Sequence, residues 1–175
     1  YLRDPIANRR QVIELGRTEL DDLPDLALVP ISDAFLRSGD TRTATELLQR
    51  AIGSGVGEPW QSIAQLGLGM IAVKSGNLPL AQGHFELAAQ TDANAGNVVG
   101  NAALLALGQA AAANGNADRA TSAFDTLLRA GGLDPSLRQA TEIARASVLY
   151  HARDYARAAD AFEDVASRAP DSLLA

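Results

Sequence analysis

The sequence predicts an all-α protein built from repeated pairs of antiparallel helices, and three observations predict this class. Glycine followed by Asp or Asn recurs at intervals of 37 and 39 residues, at Gly39, Gly76 and Gly115. Alanine and leucine supply most of the apolar residues, and alanine has the highest helix propensity. No stretch shows the sustained apolar–polar alternation of a half-buried strand.

Each unit is predicted to contain a first helix, a glycine turn and a second helix. The glycine ends the first helix because it readily adopts the left-handed conformation, and the Asp or Asn after it caps the second helix. An alanine follows five residues after the glycine and a large apolar residue follows nine residues after it, so both lie on the face of the second helix that meets the first. These residues are Ala44 with Leu48, Ala81 with Phe85, and Ala120 with Phe124.

A fourth unit follows, in which Arg153 replaces the glycine and Ala158 and Phe162 keep the spacing. We therefore expect the phenylalanines of the last three units to be buried at equivalent joints. A small residue seven positions before each turn should let the second helix approach closely. These small residues are Ser32, Gly69, Gly108 and Ala146.

Proline marks the predicted helix starts. Asp4-Pro5, Glu58-Pro59 and Asp134-Pro135 place proline where the first turn of a helix tolerates it. The first of these pairs predicts one additional helix, at residues 5–20, before the first unit. Pro30 lies inside the predicted first helix of the first unit, where it should kink the helix or delay its start.

This arrangement of small residue, Gly-Asn, alanine, phenylalanine and closing proline resembles the tetratricopeptide repeat family. The resemblance implies a right-handed superhelical solenoid of antiparallel helix pairs, in one domain over residues 1–175. The units fall at about 25–57, 59–95, 98–134 and 135–170, and their spacing exceeds the roughly 34 residues of the family. Because the chain begins at Tyr1, we also expect it to be a fragment of a longer protein.

The resemblance further implies a protein or peptide partner lying in a concave groove lined by the first helix of each unit. An apolar extended segment or an amphipathic helix fits this groove best, because few of its positions are charged. The predicted groove residues are Val29, Asp33, Arg37, Leu66, Met70, Val73, Lys74, Leu105, Gln109, Ile143, Ser147, Tyr150 and His151.

Composition argues against several other functions. The chain has no cysteine and a net charge of −6, which disfavours thiolate metal sites and nucleic-acid binding. The glycine-rich stretch at 53–57 lacks the strand and the Lys-Ser or Lys-Thr of a phosphate loop. His84 and His151 have no companion ligands at helical spacing, so we predict no metal, no cofactor and no catalytic group.

The leading hypothesis is a non-enzymatic binding scaffold in a bacterial assembly, since the alanine- and arginine-rich composition is typical of GC-rich bacterial genomes. Two alternatives stay open at this point: a structural self-association module, and an accessory domain of an enzyme outside this sequence. The composition does not decide between cytoplasm and periplasm, and an anchor outside this sequence is compatible with either.

Overall fold

A computed structural model describes residues 22–91, 98–130 and 132–168 of the 175-residue chain. Over these residues it contains eight α-helices and no strand, and consecutive helices form four pairs. The predicted helix at residues 5–20 lies outside the described residues. The helices are α1 (Asp25–Ser38), α2 (Thr41–Gly53), α3 (Trp60–Lys74), α4 (Leu78–Thr91), α5 (Val98–Ala113), α6 (Ala117–Arg129), α7 (Pro135–His151) and α8 (Tyr155–Arg168).

The turn inside each pair has the same hydrogen bonds in all four units. The three turn glycines have φ between 75° and 89°, and their N–H groups donate to the carbonyl three residues earlier. The next residue donates to the carbonyl five residues earlier, which completes the Schellman arrangement of a helix end. Arg153 adopts φ 65° and makes the same bonds, so the prediction that it replaces the glycine is confirmed.

Capping fixes where the second helices begin. Asp40, Asn77, Asn116 and Asp154 each accept a hydrogen bond from the backbone N–H three residues later. At the start of α7, Asp134 accepts from the N–H of Ser136 and Pro135 occupies the first turn, as predicted. These caps satisfy N–H groups that have no partner within the helix.

Small residues allow the two helices of a pair to come close together. A Cβ atom on Gly69 would overlap the Phe85 ring, and one on Gly108 would overlap the Phe124 ring. Both rings are 1% exposed, so the predicted burial of these two phenylalanines is confirmed. The expectation for Phe162 is wrong, because 38% of its surface is exposed. In the second and third units the next helix, α5 or α7, packs against the second helix of the pair. Within the described residues no helix follows α8, so nothing covers Phe162 in this way.

The core runs from unit to unit because each helix packs mainly on the next one in sequence. The first helices also meet across units, α1 with α3 and α3 with α5. Trp60 is half-buried against a cluster contributed by α1, α2 and α3, at the joint between the first and second units. Pro30 lies within α1, and the helix begins five residues before it rather than later.

Candidate protein-binding groove

An apolar cavity of about 500 Å³ opens between α3, α4 and α5. Its wall is almost entirely aliphatic and aromatic, and Gln109 contributes a polar amide. Cavities of this size with few polar groups are typical of binding sites. The lining residues are Leu66, Met70, Val73, Leu78, Phe85, Ala102, Ala106, Gln109, Ala110 and Ala113.

The cavity brings together four of the predicted groove residues. Leu66, Met70 and Val73 come from α3. Gln109 comes from α5, where it occupies the position that Met70 has in the preceding unit. Met70 and Val73 are 59% and 43% exposed, although α3 is an apolar helix in the middle of the array. The helical spacing of these residues therefore produces an open apolar surface rather than a packed core.

Lys74 extends this surface toward the end of α3. It follows Met70 by four residues, so both side chains lie on one face of the helix, and Lys74 is exposed. The cavity thus has an apolar floor and a cation one turn from Met70.

The remaining predicted residues do not form one continuous surface. Val29 is only 5% exposed and belongs to the first core cluster, so its side chain is not available to a partner. Asp33 and Arg37 are exposed and form an ion pair with each other across one turn of α1. Leu105 is half-buried against the cluster around Phe124.

In the fourth unit, Ile143 and Ser147 are half-buried, and the Ser147 hydroxyl donates to the Ile143 carbonyl. Tyr150 is 55% exposed, and its ring meets His151 and Tyr155 edge to face. His151 also lines a smaller cavity of about 230 Å³ between the ends of α5 and α7.

The sequence-based prediction missed the part of the wall that comes from the second helix. Leu78 and Phe85 of α4 line the cavity, and they stand two and nine residues after the turn glycine. Tyr155 occupies the position of Leu78 in the fourth unit. Leu78 could have been identified from the sequence as a large apolar residue directly after a capping Asn or Asp.

Polar groups near the cavity have structural roles. His84 of α4 shares a 2.8 Å hydrogen bond with Gln65 of α3, and burial lowers the pKa of this histidine. Glu86 of α4 and Arg119 of α6 form an ion pair that links two units. Among the residues described by the structure, no group of His, Cys, Asp or Glu is arranged to hold a metal ion.

No helix in the described part of the chain is both long enough and apolar enough to span a membrane.

The polar depression of about 560 Å³ between α6 and α7 contains Asp125, and its carboxylate pairs with Arg145 at 2.9 Å. That ion pair supplies both charges locally, so the depression has no single sign of charge to attract an ionic ligand.

Comparison with known proteins agrees with this architecture. A family model described as tetratricopeptide repeat matches residues 30–98 and 105–173. TPR-like repeats from Podosopora anserina, named for a kinesin light chain, superpose with a TM-score of 0.74 at 16% identity, covering 94% of this chain and 87% of that one. BtubC (BKLC) from P. vanneervenii gives a TM-score of 0.72 at 20% identity, covering 94% of this chain and 74% of that one.

No curated protein sequence matches the chain. At these identities the structural likenesses show the fold, and the family match covers most of the sequence. The chain belongs to the tetratricopeptide repeat family, whose right-handed solenoids of helix pairs generally mediate protein–protein interaction and are typically non-enzymatic.

Proposed function

We propose that this protein is a non-enzymatic scaffold that holds an apolar segment of a protein partner in the cavity between α3, α4 and α5. The observation that carries the proposal is the exposure of Met70 and Val73 above an apolar cavity of about 500 Å³. Covering this surface would remove apolar area from water, which is the main favourable term in protein association.

The chemistry of the wall defines the partner. Met70 is unbranched and polarisable, so it adapts to side chains of different shape. Gln109 can orient the partner through its amide, and Lys74 can pair with an acidic group beside the apolar residues. We therefore expect a helical or extended segment whose apolar residues fill the cavity and whose flank carries a carboxylate.

Photo-crosslinking tests this proposal because it captures whichever protein occupies the cavity. A photoreactive amino acid at position 70 should capture a protein partner in cells of the source organism, and mass spectrometry should map the captured segment. The same group at position 80 is the matched control, because Leu80 is 50% exposed and does not line the cavity.

A synthetic peptide of the captured segment then provides a binding assay. Met70→Glu should weaken binding at least tenfold, or about 1.4 kcal/mol, because it places a carboxylate against an apolar wall. Leu80→Glu should bind the peptide like the wild-type chain. Equal capture at both positions, or unchanged binding by Met70→Glu, would show that the partner does not use this cavity.

A further inference from the structure

A second cavity repeats the first one a unit further along the array. It has a volume of about 230 Å³ and lies between the ends of α5 and α7. Four of its lining residues stand at the same distance from their turn residue as four lining residues of the larger cavity, so the two cavities are equivalent sites. The equivalent pairs are Val73 with Ala112, Leu78 with Ala117, Ala110 with Val148, and Ala113 with His151.

The repeat also determines how the two cavities are placed relative to each other. Stacked units present equivalent positions on the same side of the array, so both cavities open toward that side. The first helices α3 and α5 pack on each other, and helices in such contact lie about 8–10 Å apart. One unit therefore displaces the cavity by about 10 Å, a distance that a single partner segment spans.

The walls of both cavities offer few hydrogen bonds to the backbone of a partner. The polar side chains among the lining residues are Gln109 in the larger cavity and His151 in the smaller one. An extended segment would leave most of the N–H and C=O groups that face these walls without a partner, which is costly. A helical segment pairs the same groups internally and presents only its side chains.

We propose that the partner segment is an amphipathic helix with two apolar side chains about seven residues apart, one in each cavity. This inference rests on the proposed function and narrows it to one class of partner. Seven residues of an α-helix rise about 10.5 Å and return to nearly the same face, which matches the displacement between the cavities. The larger side chain occupies the cavity of about 500 Å³, and the smaller one occupies the cavity of about 230 Å³.

Lys74 adds a charge to this recognition. It is exposed one turn from Met70, and the residues that line the two cavities include no Asp or Glu. A carboxylate on the partner helix, within one turn of the larger apolar side chain, therefore meets a cation and no competing acid among the lining residues. The partner helix is expected to be acidic beside its apolar stripe.

Photo-crosslinking from both cavities tests the spacing in cells of the source organism. A photoreactive amino acid at position 151 should capture the same protein as one at position 70, at a residue about seven positions away in the captured segment. Capture at position 70 alone, or capture of unrelated segments from the two positions, would overturn this inference and leave the proposed function standing. Capture at position 70 that does not exceed the control at position 80 would overturn both.

A synthetic peptide of the captured segment tests the second cavity and the helix separately. Ala117→Glu places a carboxylate in the smaller cavity and should weaken binding about tenfold. Ala156→Glu is the matched control, because it is also in the first turn of a second helix but lines neither cavity, and it should bind like the wild type.

A proline midway between the two apolar residues of the peptide should also weaken binding about tenfold, because it interrupts the helix. Circular dichroism checks the fold of each protein variant, and Ala152→Glu at the exposed edge of the smaller cavity replaces Ala117→Glu if that variant unfolds. Unchanged binding by the folded cavity variant, or of the proline peptide, would contradict the proposal.

Discussion

Phe85 and Phe162 occupy the same place in their repeat units but have very different surroundings. Phe85 lies over Gly69 and beneath α5, and it is 1% exposed. Phe162 follows the same turn and the same kind of capping residue, yet 38% of its surface is exposed. The repeated sequence therefore determines the packing within a helix pair, whereas the neighbouring unit determines burial.

The largest effect on the free energy of unfolding is expected from truncating a phenylalanine that another helix covers. Phe124→Ala should lower the free energy of unfolding by about 3–5 kcal/mol, because it leaves a cavity between α5, α6 and α7. Phe162→Ala should cost only about 1 kcal/mol, since much of that ring is already in contact with water. Urea denaturation followed by circular dichroism measures both variants, and equal losses would contradict the comparison.

The features that were predictable from sequence are those that depend on local contacts. The glycine turns, their Asp and Asn caps and the close approach at Gly69 and Gly108 follow from residues within one unit. The replacement of glycine by Arg153 was predictable for the same reason, because the spacing around it is unchanged. Local rules of this kind apply wherever the repeated sequence pattern occurs.

The features that were not predictable depend on contacts between units. Phe162 is exposed because no helix covers it within the described residues, and Val29 is buried in a cluster to which α3 of the next unit also contributes. Family groove positions identified Leu66, Met70, Val73 and Gln109 as neighbours in space, but they did not identify the contribution of α4 to the cavity. The sequence pattern describes faces of helices, and a cavity forms only where several faces meet.

A smaller effect distinguishes the turns of the third and fourth units. Arg153 adopts a left-handed conformation that disfavours side chains with a Cβ atom, and it is exposed. Arg153→Gly should therefore raise the free energy of unfolding by roughly 0.5–1 kcal/mol, after allowing for the added freedom of glycine in the unfolded chain.

Gly115→Ala is the converse change at the equivalent turn. A Cβ atom there would have no neighbour within 4 Å, so its cost is conformational alone. We expect a loss of about 1 kcal/mol, measured as a lower urea midpoint with an unchanged slope. Opposite signs for the two variants would support a shared turn geometry, and a loss for both would show that Arg153 contributes more than its conformation.

The smallest predicted effect distinguishes the second unit from the third and fourth units, which also have a phenylalanine at the position of Phe85. His84 stands one residue before Phe85, where the later units have Ala123 and Ala161. Its ring is half-buried beside Gln65, and burial lowers its pKa below the ordinary value of 6.5, because a desolvated imidazole favours the neutral form. This joint should therefore be sensitive to pH in a way that the others are not.

The sign of this effect follows from proton linkage. Since the pKa of His84 is lower in the folded chain, the unfolded chain binds the proton more readily, and the free energy of unfolding falls as the pH drops below about 6.5. His84→Gln should remove this part of the pH dependence while keeping a side chain that can hydrogen-bond to Gln65. The measurement is the difference between wild-type and variant stability from about pH 7.5 to about pH 5, with His151→Gln as the matched control at the chain's other histidine. A difference that stays constant across this range would show that folding does not perturb His84, and a difference that grows in favour of the wild type at low pH would show that protonation strengthens its contact with Gln65.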